Sequence, residues 1–235
     1  MCLKLTTALG HDTGRFSPRS IAGLTNWYDA SDFNSITMSG SEITEIANKV
    51  GGDSLTKLSN GGPHYVSSSR VSNGLPAIMW PNEKNLLGLT LSDEIFFKDA
   101  FIALAFADGE KSIFDVYNTI ITDEKSTQGS SRNRIMGGAQ TAKLFNGTLP
   151  KGMDVRTNGG DISLDVLPLP LSVLHFRTPY GFPTYNFGGK NFNAPRGWNG
   201  PMCEILLFDE IIAETDTAMI IEYLKEKWSI AALNK

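Results

Sequence analysis

The stretch from Gly200 to Trp228 limits the fold of this chain more than any other segment. Cys203-Glu-Ile-Leu-Leu-Phe208 is a nearly unbroken apolar run of strand length, the pattern of a strand covered on both faces. After a short turn, Ile220, Ile221, Leu224 and Trp228 recur at spacings that gather them on one side of a helix. A long β-rich chain that finishes with one small docked helix has few architectures open to it.

Further strands are spelled out upstream. Leu24 and Trp27 read as core anchors, with Asp29 and Asp32 suited to the turn after their strand. A strand is expected over 43–50, closed by Gly51-Gly-Asp53. Asn73-Gly74 is a tight turn leading into Ala77-Ile-Met-Trp80, with Pro76 at or near the strand's start. The continuous apolar run 100–107 predicts a central strand, and 113–121 another. Residues 122–134 read as a polar loop. In 161–166, Ile162, Leu164 and Val166 alternate onto a buried face. Residues 171–176 form a further strand, and 179–198, rich in Gly, Pro and aromatics, reads as a long loop with at most a short strand at 185–187. The sum is an all-β, two-sheet antiparallel sandwich with one short C-terminal helix. With 235 residues, 41% of them apolar, one core suffices. Residues 1–19 are expected to be an arm that docks on a partner, and 20–235 a single domain.

Charge excludes some functions. Twenty-one basic against 25 acidic side chains give no general reason to bind nucleic acid or an anionic membrane. No stretch of eighteen apolar residues suggests a membrane span. The first ten residues lack the apolar centre of a secretory signal, and Cys2 and Cys203 are expected to be free thiols of a protein folded in a reducing cytoplasm. His11, His64 and His175 have no zinc-ligand spacing, and no segment is as dense in oxygen ligands as a calcium loop. The paired glycines (51–52, 61–62, 137–138, 159–160) open no helix and so make no phosphate loop. No zinc or cofactor is expected, and calcium has only scattered oxygens such as those of Asp29 or Asp32 as an alternative.

Four motifs in order, Gly23-Leu-Thr-Asn-Trp-Tyr-Asp-Ala-Ser-Asp32, Asn73-Gly-Leu-Pro-Ala-Ile-Met-Trp80, Gly197-Trp-Asn-Gly-Pro-Met-Cys-Glu-Ile-Leu-Leu-Phe-Asp209 and Tyr223-Leu-Lys-Glu-Lys-Trp228, resemble the framework of the concanavalin A-like lectin/glucanase jelly rolls, in their laminin-G-like branch. The resemblance spans roughly 18–231 and implies a jelly-roll sandwich of the kind found in tailed-phage structural proteins and bacterial surface proteins. Two positions depart from the pattern. Ala213 stands where the family has Ser or Thr to cap the last helix, which weakens that cap. Met79-Trp-Pro-Asn82 replaces the commoner aromatic-Asp-Gly turn.

Some members of that superfamily are glucanases, which resemble one another in carrying acids two or three apart on one strand. Two strand positions are about 6.6 Å, close to what paired hydrolytic carboxylates need. This chain has no such array. Asp161 and Asp165 share a face but are four apart, about 13 Å. Glu214 and Asp216 fall in the first turn of the last helix, where they suit its dipole. Glu204, an acid inside an apolar strand, reads either as a pKa-shifted acid or as an anchor accepting hydrogen bonds from backbone or a neighbouring Arg. The resemblance, which puts a Glu here in non-catalytic members, favours the anchor. Trp27, Trp80, Trp198 and Trp228 all lie in the motifs and are expected in the core. A glycan site would use the aromatics of the 179–198 loop, Tyr180, Phe182 and Tyr185, with Asn186 and Asn191 as hydrogen-bonding partners. No catalytic residue is expected. The function expected from the resemblance is a non-enzymatic virion structural or surface protein, a capsid decoration or tail-associated module assembled in the host cytoplasm. It would be oligomeric in the particle and bound to capsid or tail proteins through the arm and a sheet surface, with host glycan as a further contact. The alternatives are a lectin module of a bacterial surface protein and, behind it, a glucanase.

Overall fold

β13 (Gly200–Phe208), every residue of which is buried, is the strand on which the rest is assembled. It belongs to a computed structural model that describes residues 16–81, 86–106, 118–123, 134–137, 152–161, 169–189 and 196–230. On one side β13 pairs with β1 (Leu24–Asp29). On the other it pairs with the second half of the sixteen-residue β7 (Leu89–Leu104), and its first residues also meet β6 (Ala77–Trp80). From β6 the ladder passes through β5 (His64–Val66), β3 (Glu42–Ile46) and β4 (Leu55–Lys57) to the first residues of β7. The six strands β13, β6, β5, β3, β4 and β7 therefore close on themselves. β2 (Ile36–Ser39) adds to β3. Beyond β7 lies β12 (Ser172–Phe187), also sixteen residues long. It pairs with β10 (Asp154–Thr157), which continues to β11 (Gly160–Asp161), and with β8 (Asn118–Thr122), which pairs β9 (Arg134–Gly137). All of these pairings are antiparallel.

The expected antiparallel β-protein with a C-terminal helix is what the chain forms. The division into two sheets is not seen in the hydrogen bonding, which runs unbroken around the ring. The reason lies in β7. Sixteen extended residues span roughly 54 Å, enough for one half to border β4 and the other half β13. Ser92-Asp-Glu94 hides the start of this strand in the sequence by interrupting its apolar pattern.

The 179–198 segment needs correction. It reads as a loop, yet β12 continues to Phe187. Pro179 and Gly181 break the pattern without ending the strand, because the ladder with β7 is interrupted between Arg177 and Phe182; Pro183 follows where pairing has resumed, opposite Phe96. An irregularity of this kind tolerates residues that cannot donate or that adopt positive φ. The strand expected over 43–50 stops at Ile46. Beyond it Asn48 turns back on β1, accepting from Trp27 N and donating to Thr25 O, which covers that strand's outer edge. Of the strand expected over 113–121, residues 118–121 are in β8, and 107–117 lie outside the described residues. So do most of 161–166 and residues 124–133, the greater part of the polar segment expected to be a loop.

The helix α1 (Glu214–Lys227) starts at Ala213, whose side chain gives no cap. Ile220, Ile221 and Leu224 are buried, and Trp228, at its C-terminal end, is wholly so. Asn73, which has a left-handed backbone in the tight turn expected at Asn73-Gly74, donates from its amide to Trp228 O and Ser229 O and so ties off the helix end. All four tryptophans are buried, as framework residues should be. Trp198 donates its indole N–H to Ala105 O, which satisfies the one polar atom its burial would strand.

Candidate functional site

The face of the sheet beneath α1 carries two buried acids, one near each end of the helix. Strand pairing sets the first. Asp29 lies opposite Glu204 and Trp27 opposite Leu206, so alternation puts Trp27, Asp29 and Glu204 on one side of the β1–β13 ladder. Glu204 is completely buried, and both its oxygens are doubly engaged. Oε1 accepts from Trp27 Nε1 at 2.7 Å and from Tyr223 Oη at 2.9 Å. Oε2 accepts from Trp228 Nε1 at 2.7 Å and faces Lys227 Nζ at 2.7 Å. Four donors converge on a group with about four acceptor sites. Glu204 is thus the anchor that was expected, though its partners are two indoles, a phenol and a lysine rather than backbone or arginine.

Asp29 closes the cluster. Its Oδ2 takes Lys227 Nζ at 2.7 Å and Lys49 Nζ at 2.8 Å, while Oδ1 accepts from Ser31 N and Oγ. The bond from Ser31 N is the turn role expected of Asp29. Lys49 also reaches Asp32 at 3.0 Å and lies 4.6 Å over the Trp27 ring, and its carbonyl accepts from Arg19. Burial drives the Asp29 carboxyl upward, but Lys227, and then Lys49 and Ser31, outweigh that and hold it below its usual value. Glu204 goes the other way. Burial dominates and pushes it up, Asp29's charge adds to this, and Lys227 and Trp228 pull against it.

These directions fix a pH dependence. Because Asp29 is depressed in the folded state, its contribution is present above its unfolded value of about 3.9 and lost as pH falls through the lower folded value. Glu204 has the opposite sign, its contribution being present below the unfolded value and lost as pH rises through the folded one. Melting temperature measured from pH 6 to pH 2 should therefore fall less steeply below about pH 4 in Asp29→Asn than in the wild type. Parallel acid limbs would show that Asp29 is not held by its lysines.

The second acid, Asp99 of β7, is also completely buried. It accepts from His175 Nε2 at 2.8 Å, from Arg177 through Nε at 2.8 Å and Nη2 at 3.1 Å, and from the backbone N–H of Ile212 at 2.9 Å. Arg177 goes on to donate to Ile212 O and Thr217 Oγ1 and pairs with Glu214, which Arg156 also holds. The uncapped start of α1 is thereby fastened to the sheet by side chains from β7, β10 and β12. His175 stacks flat on Phe101, 4.3 Å between centroids. Since a carboxylate only accepts, Nε2 carries the proton, and Nδ1 is buried with no hydrogen-bond partner.

Asp29 and Glu204, opposed across one ladder with their pKa values pushed apart, resemble an acid–base pair. A cavity of about 310 Å³ lies beside them, lined by Phe16, Pro18, Trp27, Asp29, Lys49, Tyr223 and Lys227 among others. The lining excludes Glu204, whose oxygens are filled by the four donors. Each oxygen of the two carboxylates already has its donors, so the arrangement clamps the helix to the sheet. Cys203, next in the strand, is equally sealed, and burial raises its thiol pKa far above the reactive range. Among the described residues no three His, Cys, Asp or Glu side chains gather as a metal site, and no helix is long and apolar enough to cross a membrane.

The residues expected to bind glycan are not held together as a set. Tyr180 is 74% exposed. Phe182 is buried against Phe97, with ring centroids 5.4 Å apart, and Asn186 is buried completely. Tyr185 packs partly against the core. Asn191 lies outside the described residues. The interruption of the ladder between Arg177 and Phe182 is what separates Tyr180 from Phe182 and Asn186, which lie on the paired part of the strand. Phe96, exposed opposite this part of β12, carries no sequence signal because it sits beside the buried Phe97 in a run of apolar residues. Comparison of the chain with protein-family models, characterised protein sequences and solved structures found no match.

Proposed function

We propose that the chain is a non-enzymatic structural and surface module of a virion, built as a concanavalin A-like jelly roll. The observation that carries the non-enzymatic part is the saturation of Glu204. Glu204, an acid set within an apolar strand, has its oxygens occupied by Trp27, Tyr223, Trp228 and Lys227, under a helix that Asp99 fastens at its other end. A hydrolytic carboxylate must instead face the bond it cleaves. The jelly-roll reading has support in the central place of β13 between the first strand and a long strand, with α1 over its face. The ring of strands would then be two layers joined where β7 changes neighbours. The virion setting has its support in the four-motif resemblance to phage structural domains, whose tryptophans are framework here.

In this model residues 1–19 and a sheet surface attach the domain to capsid or tail proteins, and an exposed surface meets host glycan. Mass spectrometry of purified particles from the producing cells tests it. The expected result is the chain in fixed proportion to capsid or tail proteins, together with no release of reducing sugar from polysaccharide by the purified protein. Absence from particles, or hydrolysis, overturns it. The lectin reading has one observation of its own, the exposed Tyr180.

A further inference from the structure

We infer that Lys227 and Asp29 are placed to condense into an amide, an isopeptide bond that the folded chain forms on itself and that ties the end of α1 covalently to β1. Lys227 Nζ lies 2.7 Å from Asp29 Oδ2 and 2.7 Å from Glu204 Oε2, with Tyr223 Oη at 3.1 Å. A carboxyl C–O bond is about 1.23 Å, so the Asp29 Cγ is within about 4 Å of the amine, near the separation from which attack begins. Both carboxyls are buried, and the indoles of Trp27 and Trp228 hold Glu204 by its two oxygens. A lysine brought among buried groups, with an acid at hand to take its proton, is the usual setting of an amine nucleophile. The other lysine–carboxylate pairs, Lys57 with Glu42 and Lys225 with Glu222, lie more open to water.

The other groups that the condensation needs touch the reacting atoms. Glu204 Oε2 is the base for Nζ, and burial, which raises its pKa, suits it to hold the proton it takes. The neutral amine attacks Asp29 Cγ. The C–N bond forms as the C–Oδ1 double bond opens, and the charge gathering on Oδ1 meets Ser31 N–H at 2.9 Å and Ser31 Oγ–H at 2.6 Å, an oxyanion pocket already in place. Lys49 Nζ, 2.8 Å from Oδ2, donates to the oxygen that leaves. The C–Oδ2 bond then breaks as the Oδ1 carbonyl re-forms. In all, two protons leave the Lys227 ammonium, two arrive on Oδ2 and one water departs, while Glu204 and Lys49 end as they began. The cavity lined by Asp29, Lys49, Tyr223 and Lys227 is the way out for that water. Lys49 is the poorer nucleophile, because its second acid, Asp32, is 33% exposed and does not shield it from solvent. The charged cluster is the reactant, so the acid limb assigned to Asp29 belongs to the unlinked chain. The step occurs once per chain, which sets it apart from enzymatic turnover.

The experiment is intact-mass spectrometry of the purified full chain, followed over days at neutral pH, with tryptic mapping. The wild type should become lighter than its sequence requires by one water, and digestion should yield a branched species joining peptides 20–49 and 226–235 through Asp29 and Lys227. Lys227→Arg keeps the charge and cannot make the link, so it should hold its full mass while remaining folded. Lys49→Arg should still lose water. Glu204→Gln should link about a hundredfold more slowly or not at all. Because that variant is less stable, its rate is read below its own melting temperature. Full mass in the wild type, water lost without the branched peptide (as from a cyclised aspartate), a branch at Lys49, or water loss in Lys227→Arg overturns the inference. Linking at the wild-type rate in folded Glu204→Gln overturns it as well, since the amine would then need no buried base.

Discussion

Glu204→Gln is expected to destabilise the protein by about 3–5 kcal/mol, the usual cost of breaking a buried, paired charge. The substitution is nearly isosteric, so packing is unchanged and the effect isolates the hydrogen bonding. Its amide nitrogen is a donor placed among donors. In one orientation it faces Trp228 Nε1 and Lys227, in the other Trp27 Nε1 and Tyr223 Oη. No orientation satisfies all four. Lys227 would also keep Asp29 as its only acidic partner. Urea denaturation should show a lower midpoint with an unchanged slope. A loss under about 1 kcal/mol, no more than a surface ion pair contributes, would mean that the cluster holds little.

Trp228→Ala should cost a similar amount, about 3–5 kcal/mol, through a different cause. The ring is completely buried where the helix ends. Its removal opens a cavity between α1 and the sheet and takes one donor from Glu204 Oε2. At about 2–4 °C per kcal/mol for a chain of this size, the melting temperature should fall by roughly 6–20 °C. Trp228→Phe separates the two causes, since it keeps most of the volume and loses only the indole N–H. Because Trp228 and Glu204 touch, the double variant should lose less than the sum of the singles. An unchanged melting temperature in Trp228→Ala would make the helix peripheral.

How much of this was legible depended on whether a signal was local. The terminal helix was readable from Ile220, Ile221, Leu224 and Trp228, as was its missing cap at Ala213, because both are periodic or positional facts. The buried strand around Glu204 was readable for the same reason. Its partners were not all so. Asp29 meets Glu204 only through the register of β1 on β13, 175 positions away, and no periodicity encodes a register. Asp99, His175 and Arg177 come together across two strands in the same way. The failure at 179–187 was of another kind. Prolines and a glycine were read as loop formers when they mark an interruption inside a continuing strand. That error grouped Phe182 and Asn186 with Tyr180 and left Phe96 unseen.

The central claim is that the two buried acids fasten α1 to the sheet. Native-state hydrogen exchange of the 218–228 amides in wild type and Glu204→Gln tests it most directly, because it reads the helix separately from the strands. The account predicts that helix protection collapses in the variant by more than that of β7 and β13. Helix protection equal to wild type, with the strands weakened or unchanged, would contradict it.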